Sequence, residues 1–140
     1  MSDLERARAL LQGNLSYTCA FVSGDNEKTS EQRGVRPLLE LINAGETLAG
    51  WAAADRVVGR AAALLYVCLG VQKLYAEVLS KPAEAVLKVH RIEYGYAILT
   101  DGIKNRSGDG PCPMEQATME IFDPQEGLQA IRAKLKELAN

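Results

Sequence analysis

Residues 54–70, Ala54-Asp55-Arg56-Val57-Val58-Gly59-Arg60-Ala61-Ala62-Ala63-Leu64-Leu65-Tyr66-Val67-Cys68-Leu69-Gly70, decide the fold. From Val57 to Val67 the run is apolar nearly all round. A helix without a polar face has to be enclosed by the rest of the domain. Asp55 is a suitable N-cap and Gly70 a suitable residue just past the C-terminus, so the run predicts a central helix from the Asp55 cap through Leu69. Residues 48–54 before it read as a short buried strand, and residues 72–79 after it as another. Strand, buried helix, strand is the pattern of a parallel crossover unit.

The same reading extends to both ends. Residues 2–12 form a helix with Leu4, Ala7, Leu10 and Leu11 on one face, ended by Gly13-Asn14. Residues 15–22 are a strand, 23–26 carry turn chemistry, and 27–33 return as a polar edge strand. Residues 37–44 make a helix with proline in its first turn and Gly45 at its end. Residues 82–90 are a helix, 92–99 a strand and 114–122 a short helix. A final helix follows Asp123-Pro124, where Asp123, Pro124 and Glu126 supply an N-cap, a first-turn proline and a capping-box partner. Strands alternating with helices imply a mostly parallel sheet covered on both faces, with the opening hairpin as an antiparallel edge. The expected architecture is α/β, three layers α/β/α, with a mixed sheet of about five strands and extra C-terminal helices. Residues 1–140 read as one domain, with no repeat and no linker.

Composition excludes several classes. A net charge of −2 gives no global attraction to nucleic acid or an anionic membrane. Residues 61–69 are the longest apolar run, far short of the roughly 20 residues that span a bilayer. The first residues lack a signal peptide's basic-then-apolar pattern. Cys19, Cys68 and Cys112 have no paired spacing, which fits a reducing cytoplasm better than a disulfide framework. A homodimer is compatible with the chain.

One stretch is too polar and glycine-rich for core: Lys104-Asn105-Arg106-Ser107-Gly108-Asp109-Gly110-Pro111-Cys112-Pro113-Met114-Glu115. It carries cations, a thiol and a carboxylate into a helix start, where backbone amides attract anions and glycines admit close approach. It reads as part of a site for a phosphorylated ligand.

The order of elements resembles the cytidine deaminase-like fold. The segments 33–41, 54–63, 75–78, 103–106 and 112–115 resemble a small family of uncharacterised microbial proteins assigned to that superfamily. The resemblance implies the fold and brings no established activity. The superfamily's zinc enzymes carry His-x-Glu or Cys-x-Glu at one helix start and Pro-Cys-x-x-Cys at the next. The corresponding positions here, near 34–37 and 55–60, hold neither motif. Pro111-Cys112-Pro113-Met114-Glu115 comes two elements too late and lacks a second cysteine. Catalytic zinc usually needs three protein ligands, so no metal and no zinc cofactor are expected.

In that fold the two helix starts face one cavity. Arg33 and Arg36 then flank one start, and Asp55, Arg56, Gly59 and Arg60 the other. Lys104, Asn105, Arg106, Gly110 and Cys112 approach from the late loop. Converging cations beside helix amides suit a phosphate. Each residue also has a plainer reading. The arginines are solvated charges, Asp55 is an N-cap, Gly59 serves helix packing, and Cys112 fills a tight turn. The weak catalytic candidates are Asp55, Cys112 and Glu115.

The sequence-level expectation is a zinc-free deaminase-like domain that binds a nucleotide-like or other phosphorylated small anion. The alternatives are a non-metal enzyme acting on a nucleotide-derived substrate, and a protein-interaction module with a vestigial cavity.

Overall fold

The computed structural model describes residues 1–105 and 107–139. In chain order the elements are α1 (Asp3–Gly13), β1 (Cys19–Ser23), β2 (Asn26–Ser30), α2 (Arg36–Asn43), β3 (Ala52–Val58), α3 (Arg60–Leu69), β4 (Lys73–Ser80), α4 (Lys81–Val89), β5 (Glu93–Thr100), α5 (Pro113–Ala117) and α6 (Pro124–Ala139). The sequence predicts this order of elements.

The strands form one mixed sheet in the order β2-β1-β3-β4-β5. β1 runs antiparallel to both its neighbours, while β3, β4 and β5 are parallel. The protein is therefore an α/β fold with five strands and the polar β2 at one edge.

Two apolar clusters flank the sheet. Alternation along β1 divides it between them, because successive side chains of a strand point to opposite faces. Ala20 and Val22 join Ala7 and Leu11 of α1, Ala54 and Tyr75. Cys19 and Phe21 join the larger cluster centred on α3. There Leu64, Leu65, Tyr66 and Leu69 are buried among residues of α2, α4 and α6. Burying one such leucine contributes about 1.5–3 kcal/mol. α6 comes close to α3 at Gly127, where a Cβ would lie 2.8 Å from the Leu64 Cδ1.

The central helix is as buried as its sequence requires, but it starts later than expected. Asp55 is not its N-cap. Asp55 lies within β3, paired with Cys19 of β1 on one side and Ala76 of β4 on the other. The helix begins at Arg60 with Gly59 as N-cap, and Gly70 closes it in the left-handed conformation at φ 85°. Val57 is a strand residue and 45% exposed.

The strand expected at 48–54 is shifted for the same reason. Leu48 to Trp51 form a tight turn closed by Trp51 N–H to the Leu48 carbonyl at 2.9 Å. The β-branched Val57 and Val58 then extend the strand.

Other boundaries moved locally. The Asn14 side chain accepts from Ser16 N–H at 2.9 Å, holding residues 14–17 in a turn before β1. β2 stops at Ser30 rather than reaching Arg33. α5 ends at Ala117 instead of Phe122. Glu120, at φ 69°, is left-handed and breaks the helical run.

Candidate functional site

The C-terminal end of β3, the starts of α2 and α3, Ile103, and Cys112, Met114 and Glu115 line a cavity of about 260 Å³. Thr18, Cys19, Asp55, Gly59, Cys112 and Glu115 are among its walls, with Arg33, Val35, Leu38 and Met114. Parts of the two distant segments expected to form a joint site meet here: Asp55, Arg56 and Gly59 from one, and Cys112 from the other.

Asp55 is the central polar group. It is only partly accessible, and Tyr66 Oη donates to its Oδ2 at 2.6 Å. Burial pushes the Asp55 carboxyl up to about 6, against hydrogen bonds from Tyr66 and the amides of Val57 and Arg56 and the Arg56 charge, all of which favour the carboxylate. Burial also raises the Cys19 thiol, and the neighbouring Asp55 charge adds to the rise. Tyr66 is pushed up by the same two causes, burial first. The floor is therefore a carboxyl able to exchange a proton near neutrality, beside two groups that keep theirs.

Glu115 does something its sequence does not reveal. Its carboxylate accepts from the backbone N–H of Arg60 at 2.5 Å and of Ala61 at 3.0 Å. It caps α3, not its own helix, and fills the helix-start anion position from within the chain. Gly59 is extended at φ −95°, so its conformation does not demand glycine. Space does: an added Cβ would come within 3.0 Å of the Glu115 carboxylate carbon and both its oxygens.

Among the described residues the expected convergence of cations is not found. Arg56 borders the cavity, but its guanidinium points to α1. It donates to the carbonyls of Tyr17 (2.9 Å), Leu11 (2.6 Å) and Asn14 (3.0 Å), and pairs with Glu77 at 2.9 Å. The Arg60 side chain is buried, bonding the carbonyls of Ile121 (2.9 Å) and Pro82 (3.2 Å), and it borders a different cavity. Arg36 begins α2, is exposed and is not a wall of the first cavity. Among the described residues, Arg33, also exposed, is a cation left at its edge.

The glycine-rich stretch folds on itself. Lys104 and Pro111 form an isolated β-bridge, and Asn105 N–H reaches the Gly110 carbonyl at 2.8 Å. Asn105 Nδ2 donates to Asp109 at 3.0 Å. Lys104 and Gly110 line a separate shallow hollow, away from Asp55. Arg106 lies outside the described residues. Cys112 is half-buried, serves as N-cap of α5 without a side-chain bond, and does border the Asp55 cavity.

The residues missed by sequence reading are Tyr66, Cys19 and Thr18. Tyr66 carried a signal: a tyrosine enclosed in an apolar helix needs a partner for its hydroxyl. Among the described residues no group of three His, Cys, Asp or Glu side chains is placed to hold a metal ion. Nor is any helix among them long and apolar enough to cross a membrane.

No protein with a curated description matches the chain. The crystal structure of the DUF1893 family protein TM1506 from Thermotoga maritima superposes with a TM-score of 0.83 at 25% identity, covering 98% of this chain and 91% of that one. The family described as "TM1506: Domain of unknown function (DUF1893)" matches residues 7–135, and the chain belongs to that family.

Proposed function

We propose that this chain is a zinc-free, cytidine deaminase-like domain in three layers, which binds a nucleotide-like small molecule in the Asp55 cavity. The observation that carries the reading is the half-buried Asp55 carboxyl at the wall of a cavity beside the C-terminal end of a parallel strand. Open α/β sheets bind ligands at such strand ends. Of the two stretches that the resemblance assigns to its helix starts, 34–37 and 55–60, Gly34, Val35, Pro37, Asp55, Arg56 and Gly59 are among the walls of this cavity.

Volume and lining narrow the ligand. Pockets for drug-sized molecules run from roughly 300 to 1,000 Å³. A cavity of about 260 Å³ takes one ring system, such as a nucleobase, and leaves a sugar or phosphate outside. Apolar walls suit a planar ring, and Asp55 accepts an N–H from its edge. Among the described residues, Arg33 at the rim is the available partner for a phosphate. The helix-start amides of α3 are not, because Glu115 occupies them.

Zinc chemistry does not fit these residues. The positions equivalent to the metal motifs carry no ligand set, and Asp55 stands beside Cys19 and Tyr66 rather than a histidine. No reaction is assigned. The unpaired Cys19, Cys68 and Cys112 suit a reducing compartment such as the cytoplasm.

Calorimetric titration with nucleobases, nucleosides and nucleoside monophosphates tests the reading. A base should bind, and a phosphate should strengthen binding through Arg33. Asp55→Asn should weaken all bound members by roughly ten- to a hundredfold, the range for a charge-assisted hydrogen bond. Arg33→Ala should remove only the phosphate advantage. Absence of binding by every member, or equal binding to wild type and Asp55→Asn, would contradict it.

A further inference from the structure

A second cavity, of about 520 Å³, shares Glu115 and Ile103 as walls with the first. Its distinctive feature is Arg60. The residue is 7% exposed, yet none of the ion pairs among the described residues includes it. Its Nε and Nη1 are committed to the carbonyls of Ile121 and Pro82. Its Nη2 is buried and has no partner among the described residues. The Phe122 ring centre lies 4.3 Å from the guanidinium carbon.

A buried guanidinium with an unmet donor is a costly arrangement. Glu115 does not relieve it: its carboxylate lies on the α3 amides and accepts no hydrogen bond from the Arg60 side chain. The remaining walls are largely apolar and include Pro82, Met119 and Phe122. Met119 is 64% exposed and Phe122 41%, an apolar rim left open to solvent.

We propose that this second cavity binds a small apolar monocarboxylate, with its carboxylate on Arg60 and its body against Met119 and Phe122. The half-exposed Phe122 ring covers the guanidinium and rotates aside to admit the ligand. A monoanion fits better than a phosphate dianion. One guanidinium nitrogen lacks a partner among the described residues, and Glu115 and Glu120 on the cavity wall repel additional negative charge. The inference does not depend on what occupies the Asp55 cavity.

The test is an NMR titration of the full chain with benzoate and hexanoate, and with neutral benzamide and hexanol. The acids should shift the Met119 methyl and the Arg60 Nε–H resonances saturably, with the neutral analogues at least about tenfold weaker. Arg60→Gln should abolish the preference for acid. Because a buried arginine can be needed for folding, Met119→Glu at the exposed rim provides a second variant, which should weaken the acids at least about tenfold. Glu120→Gln should tighten them. No saturable shift by either acid, or equal binding of acids and neutral analogues, overturns the proposal. Asp55→Asn should leave these titrations unchanged, so failure here is separable from failure of the nucleotide-like reading.

Discussion

The Glu115 carboxylate spans the first two amides of α3 directly over Gly59, a position with no room for a Cβ. A short downstream helix is thereby tied to the start of the most buried one. The contact fixes one wall shared by both cavities, because Glu115 borders each.

Glu115→Ala should therefore destabilise the fold. It removes the acceptor from two amides at a partly buried helix start, a loss of about 1–3 kcal/mol. In a chain of this length that lowers the melting temperature by roughly 3–10 °C. Gly59→Ala should reproduce most of the loss by pushing the carboxylate away. Differential scanning calorimetry of both variants and the double mutant checks this. If the capping contact is the shared cause, the two effects combine to less than their sum.

Asp55 gives a pH dependence of definite sign. Its folded value of about 6 lies above the ordinary 3.8, so the folded state favours the protonated form. The associated stability is fully present below about pH 4, is lost as pH rises to about 6, and is then flat. A shift of this size corresponds to about 3 kcal/mol at most. Asp55→Asn should remove that slope and leave the variant relatively more stable at pH 8 than at pH 4.5. Urea titrations of both proteins across that range are the check. Parallel pH profiles would contradict the assigned environment.

Arg56 should behave as a structural residue. Its guanidinium satisfies three carbonyls at the end of α1 and the turn after it. Arg56→Met should cost about 2–4 kcal/mol, since it leaves several acceptors without a donor. Glu77→Gln should cost less, about 0.5–1 kcal/mol, because the ion pair is partly exposed. Ligand affinity measured on the folded fraction of either variant should be unchanged. A selective loss of affinity in Arg56→Met would return that arginine to the site.

The order of elements was legible because periodicity and turn residues agree along most of the chain. The site was legible only in part, and one boundary explains much of the difference. Asp55 before an apolar run looks like an N-cap, but Val57 and Val58 favour strand and carry β3 past it. On a strand, adjacent side chains take opposite faces. Asp55 therefore meets Tyr66 of α3, while Arg56 turns to α1. Read as helix, the two had been placed at one site.

Long-range partners hid the rest. The α3 N-cap is a glycine without a side chain, and its acceptor comes from Glu115, far along the sequence. The partners of Arg56 are backbone carbonyls, which carry no residue signature. Lys104 was expected beside the helix starts, but its bridge to Pro111 closes a small hairpin and keeps it on a separate surface.

The location of a bound ligand is the most direct test of binding in the Asp55 cavity. Crystals of the protein soaked with a nucleoside monophosphate should show the base within the cavity against Asp55, with its phosphate outside near Arg33. Density confined to the Lys104–Pro111 hairpin or the Arg60 cavity, or no density at saturating ligand, would contradict the account.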